Sequence, residues 1–191
     1  MRGPGGLWFT EHGHRLEIGN IGTNGTVVEY PVPLVPWDLG MGPDGAIWYT
    51  EWPNDEVARM TITGAVTNQY AVPTVNSNPN VIVTGPDGLL WFTEYAGDKI
   101  ASLTTAGDIA EYAVHTAHSE PGNIIVGPDG ALWFTEHAGN RIGRITTAGT
   151  ITEYEIPTAG SAPMVVEVGS DGALWFTEYY GNKIGRISVP E

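Results

Sequence analysis

A chain of 191 residues with eight basic and twenty-two acidic side chains carries a net charge of -14. Such a surface repels phosphate backbones and anionic lipid, which argues against nucleic-acid and membrane-surface partners. There is no cysteine, so disulfides and thiol chemistry are excluded, and no apolar run approaches the length of a membrane span.

Met1-Arg2-Gly3-Pro4 leads straight into patterned sequence without a signal-peptide signature, which predicts a protein that is cytoplasmic or has lost its leader. The pattern is a repeat. Gly127-Pro128-Asp129-Gly130-Ala131-Leu132-Trp133-Phe134-Thr135-Glu136 recurs in variant form from Gly3, Gly42, Gly85 and Gly169, with tryptophans at Trp8, Trp48, Trp91, Trp133 and Trp175. Their spacings of 40, 43, 42 and 42 residues mark one supersecondary unit copied along the chain.

The first repeat begins at its second strand, which we denote B, and continues through strands C and D to Val32. The second and third are complete. The fourth sets the grammar: strand A at Asn123 to Val126, a Pro-Asp-Gly turn, strand B at Leu132 to Glu136, a His-Ala-Gly-Asn hairpin, strand C at Arg141 to Thr146, and strand D at Thr150 to Ile156. The fifth stops after strand C near Ile187. Four short strands per ~42 residues match a β-propeller blade. The expectation is an all-β chain, 1–191, forming one propeller domain or a partial propeller of about five blades. Three blades are complete and two three-stranded, and an open arc could pair as a homodimer through its end blades. Runs such as Ala131 to Phe134 are apolar on both strand faces, which suits sheets packed between sheets and assigns the tryptophans to inter-blade packing.

Strand direction alternates, so B–C hairpins and D–A connections share one rim. All five histidines map there: His12, His14 and His137 in hairpins, His115 and His118 in a connection. So do the strand-ending carboxylates Glu11, Glu51, Glu94, Glu136 and Glu178, together with Glu120. The plain reading of that glutamate ring is that each carboxylate accepts hydrogen bonds from its own hairpin. Imidazole beside carboxylate is also the material of a general base or a hard-metal site, and the cluster His137, Glu136 and Glu120 stands out. The opposite rim holds mainly the turn aspartates Asp44, Asp87, Asp129 and Asp171.

The repeated Gly-Pro-Asp-Gly-Ala-Leu-Trp-Phe-Thr-Glu unit is followed by Gly139-Asn140-Arg141-Ile142-Gly143-Arg144-Ile145-Thr146 and Ile151-Thr152-Glu153-Tyr154. With Gly181-Asn182-Lys183-Ile184-Gly185-Arg186-Ile187, these resemble the virginiamycin B (streptogramin B) lyase family over nearly the whole chain. The resemblance implies a seven-bladed parent fold and an antibiotic-resistance activity: linearising cyclic depsipeptides by elimination across the lactone ester, with Mg2+. It also implies a histidine after the proline that opens strand A. Here those positions hold Trp37, Asn80, Gly122 and Met164, and Glu120-Pro121 is followed by glycine. Two readings stand at this point. One is a lyase with His137 as a relocated base and Glu120 and Glu136 at a magnesium ion. The other is a non-catalytic propeller binding a small molecule or protein on its histidine-bearing rim.

Overall fold

The computed structural model describes residues 1–11, 13 and 15–189, and among them every regular element is a strand. Blade one contains β1 (Arg2–Gly3), β2 (Gly6–Glu11), β3 (Glu17–Gly22) and β4 (Val27–Pro31). Blade two contains β5 (Pro36–Met41), β6 (Ile47–Glu51), β7 (Glu56–Met60) and β8 (Val66–Ala71); blade three, β9 (Pro79–Thr84), β10 (Leu90–Glu94), β11 (Lys99–Leu103) and β12 (Ile109–Ala113). Blade four contains β13 (Pro121–Val126), β14 (Leu132–Glu136), β15 (Arg141–Ile145) and β16 (Ile151–Glu155), and blade five β17 (Pro163–Val168), β18 (Leu174–Glu178) and β19 (Lys183–Ile187). Each sheet is an antiparallel meander in chain order, and the five form an arc that does not close.

One expectation needs correction. The first blade is four-stranded, because Arg2 and Gly3 pair with Leu7 and Gly6. That stub was hidden because a two-residue strand, separated from its partner by Pro4 and Gly5 alone, carries no apolar alternation.

The turns form for local reasons. In blade four, Gly130 takes φ 72°, a conformation that glycine adopts without strain. Asp129 Oδ1 accepts the Ala131 amide at 3.3 Å and the Trp133 indole N–H at 3.0 Å, so the turn aspartate also fixes the tryptophan. Trp48, Trp91 and Trp175 are held in the same way by Asp44, Asp87 and Asp171.

The core lies between blades. Adjacent residues on strand B face opposite ways: Trp133 joins Val166, Leu174 and Phe176 of blade five, while Phe134 joins Trp91 and Ile100 of blade three. In the first four blades the tryptophan also stacks on the strand-D tyrosine of its own blade, as Trp133 does on Tyr154 at 5.4 Å. Trp48, Trp91 and Trp133 are fully buried, whereas Trp175, on the outer face of the last blade, is 41% exposed. The inter-blade reading of the tryptophans therefore holds wherever a following blade exists.

A second link joins neighbouring blades. Strand A is bulged just after its opening proline, and the strand-B threonine fills the irregularity. Thr135 Oγ1 accepts the Asn123 amide at 3.0 Å and donates to the Met164 carbonyl of the next blade at 3.2 Å. Thr10, Thr50 and Thr93 donate likewise to the Trp37, Asn80 and Gly122 carbonyls.

Candidate functional site

The rim of hairpins and D–A connections is tied together by backbone hydrogen bonds. In blade four the amides of His137, Ala138 and Gly139 donate to the carbonyls of Glu120, Ser119 and Ser119, each at 3.1 Å. The connection is clamped from the preceding hairpin by Asp98, which accepts the His118 amide at 2.7 Å and the Glu120 amide at 3.2 Å. This clamp holds Glu120 at φ 50°, the left-handed region that a residue with a side chain rarely occupies. Asn78 and Ala162 stand at the same point of the neighbouring connections with φ 51° and 50°. The backbone is common to the blades, and the carboxylate is particular to this one.

Glu120 Oε2 accepts the Tyr95 hydroxyl at 2.6 Å and lies 3.2 Å from His137 Nδ1. The imidazole stands between the rings of Tyr95 and Tyr180, at 6.4 and 6.5 Å, and Tyr180 packs edge-on against Tyr179. The side chain of His137 is 26% exposed and that of Glu120 39%. Burial, then the bond to Glu120, pushes the Tyr95 hydroxyl well above the usual phenol range, so it remains a donor. The result is a partly shielded chain of phenol, carboxylate and imidazole.

Glu136 does not join that chain at the surface. It is fully buried, and neither carboxylate oxygen has a hydrogen-bond partner. Burial, helped by the nearby charge of Glu153, pushes it up to about 8, so it is chiefly uncharged at neutral pH. Glu94 is alike, pushed up to about 8 by burial and then by Glu111. Burial also lifts Glu51 to about 7, although one of its oxygens accepts from Gln69 at 3.0 Å. Glu178 is 6% exposed. The expectation that each of these carboxylates accepts bonds from its own hairpin fails for Glu94 and Glu136. The hairpin amides are already taken by the connection, through the Ser77 and Ser119 carbonyls. What makes room for the acid is the hairpin glycine: a Cβ on Gly139 would stand 2.8 Å from Glu136 Oε2.

The remaining candidates lie apart from His137. His115 and His118 are exposed, and each is anchored through its backbone, His115 on Glu153 and His118 on Asp98. Glu11 groups with Glu17 and Glu29 in blade one, where Arg15 approaches Glu17 and Glu29 at 3.7 and 3.6 Å. His12 and His14 lie outside the described residues.

Sequence reasoning missed a row of aromatic residues. The position just after the strand-B glutamate holds Trp52, Tyr95, His137 and Tyr179 in successive blades. Within a nearly constant framework, one position varies yet stays aromatic, and that was the available signal.

A family model described as the virginiamycin B lyase family matches residues 2–189. The chain belongs to that family. A solved virginiamycin B lyase from Staphylococcus aureus, a histidine-to-alanine variant described as catalytically inactive and solved with quinupristin, is 40% identical. It matches all of this chain and 67% of its own length, with a TM-score of 0.93. A second structure of the Staphylococcus aureus enzyme and a streptogramin B lyase are 38% and 37% identical, both with TM-scores of 0.86. The chain thus spans about two thirds of these lyases. Comparison with curated proteins returns no match.

Family resemblance implies magnesium, but the carboxylates near His137 do not fit a hard divalent cation. Glu136 is sealed and chiefly uncharged at neutral pH, and Glu120 Oε2 is occupied by Tyr95 and His137. Among the described residues, the acidic group close enough to share an ion is Glu11, Glu17 and Glu29, on another blade.

Proposed function

We propose that this chain performs the lyase chemistry of its family: opening a cyclic depsipeptide by elimination across its lactone ester. The observation supporting this reading is the Tyr95–Glu120–His137 arrangement on the rim. A carboxylate at Nδ1 selects the tautomer with its hydrogen on that nitrogen, leaving the Nε2 lone pair as base. It also stabilises the imidazolium that forms when Nε2 takes a proton. Tyr95 holds the carboxylate in place from the other side.

The hydrogen removed is the one alpha to a carbonyl and beta to the ester oxygen. Its electron pair becomes the new carbon–carbon double bond as the carbon–oxygen bond breaks, and the ester oxygen departs as carboxylate. The imidazolium then returns its proton to solvent, so no water is consumed. The rings of Tyr95 and Tyr180 pack beside the imidazole and hold part of it away from water.

Incubation with a streptogramin B separates the outcomes. Elimination gives a ring-opened product of unchanged mass with a new conjugated double bond, whereas hydrolysis adds one water. His137→Gln is expected to abolish the product without moving the melting temperature. Absence of product from the unaltered protein at high concentration, or full activity of His137→Gln, refutes the reading.

A further inference from the structure

A cleft of about 230 Å3 opens on the same rim between blades two and three, lined by Trp37, Trp52, Asn78, Asn80 and Tyr95. Trp37 follows the proline that opens β5, Asn80 follows the one that opens β9, and Trp52 and Tyr95 are successive members of the hairpin aromatic row. The two indoles are 39% and 40% exposed, unlike the buried tryptophans of the core. Their centroids are 5.4 Å apart and the rings tilt by 42°, so they form two walls of a corner and not a flat stack.

The polar edges of two of the walls are engaged with the protein. The Trp37 indole N–H donates to Asn80 Oδ1, and the Tyr95 hydroxyl donates to Glu120. Aromatic surface is what the walls chiefly offer a guest, with the two asparagine amides and the Trp52 indole N–H as the polar groups among the lining residues. A sugar needs polar partners on several sides, and this lining is too sparse in them. No lysine or arginine lines the cleft, Glu120 stands one hydrogen bond behind Tyr95, and the whole chain carries a charge of -14. Ring faces in a negative field attract a cation with little hydration to lose. The volume falls below the ~300 Å3 at which pockets for drug-sized molecules begin, so the guest is a headgroup and not a whole large ligand.

We propose that this cleft binds an alkylated ammonium group, with Trp37, Trp52 and Tyr95 as its walls. With Asn80 Oδ1 occupied by Trp37, the Asn80 amide NH2 is left to donate to an acceptor next to the cationic centre. The site stands independently of the lyase reading, because it requires neither His137 nor turnover.

The test uses choline and its uncharged isostere 3,3-dimethylbutan-1-ol, titrated into the protein while indole N–H resonances are followed by NMR. Signals assigned through Trp37→Leu and Trp52→Leu are expected to shift saturably with choline. The alcohol is expected to bind at least ~5-fold more weakly, as loss of the cation–π attraction requires. Each leucine variant should lose choline binding, and two independent variants protect the test should one fail to fold. Equal affinity for the two probes, undiminished binding in a folded variant, or no saturable shift at ~100 mM choline would overturn the assignment. His137→Gln should bind choline normally, so failure of the lyase reading leaves this result intact.

Discussion

Replacing Glu136 with glutamine makes a sharp test of the buried carboxyl. In the folded chain this group sits at about 8, because burial disfavours its charge; in the unfolded chain it ionises near ~4.3. Between those values the folded protein keeps a proton that the unfolded chain has released, so stability declines as pH rises through that interval. From about pH 5 to about pH 7.5 the linkage amounts to about 3 kcal/mol for this one group. Glutamine has nearly the same shape and does not titrate. Whatever constant cost its buried amide imposes, its stability relative to the parent should rise by about 3 kcal/mol over that pH range. Urea denaturation of both proteins at several pH values measures the difference directly. The other raised carboxyls, Glu94 and Glu51, cancel in the comparison. Two stability curves that run parallel with pH would show that Glu136 is ionised or solvated in the folded chain.

Two further outcomes follow from the architecture. Trp133→Ala removes a fully buried ring and should lower stability by about 3–5 kcal/mol, whereas Trp175→Ala, on the open flank, should lose less than about 1 kcal/mol in the same assay. Equal losses would mean that the last blade is covered. Asp98→Ala frees the amides of His118 and Glu120, so ring opening should fall at least ~10-fold as Glu120 loses its hold on His137. Asp55→Ala, which frees Asn76 and Asn78 one blade earlier, should reduce stability and spare the rate. Equal effects of the two on rate would deny Asp98 a positioning role.

Much of the fold was legible because turn and strand are written in residues whose conformations are nearly forced. Pro-Asp-Gly sets each A–B turn, and the Trp-Phe pair places one ring on either side of a sheet. The strands of blade four accordingly fall within two residues of their expected bounds. The site was less legible. A glutamate at the end of an apolar strand looks the same in sequence whether its carboxylate turns to water or beneath a hairpin. The deciding feature is an absent Cβ at Gly139, three residues further on. Glu120 reads as a loop carboxylate until the clamp from Asp98, 22 residues earlier, is seen to turn its backbone left-handed. Tyr95 reaches it across the boundary between two blades, a distance of 25 residues that no local pattern encodes.

The threonine hydroxyls that bridge successive blades have a consequence for how the molecule comes apart. Each bridge couples a blade to its immediate neighbour and to nothing beyond, so cooperativity passes along a line and has no circuit to return through. Amide hydrogens in β10 and β14 should therefore exchange last, while the outermost sheets fray first, one after the other.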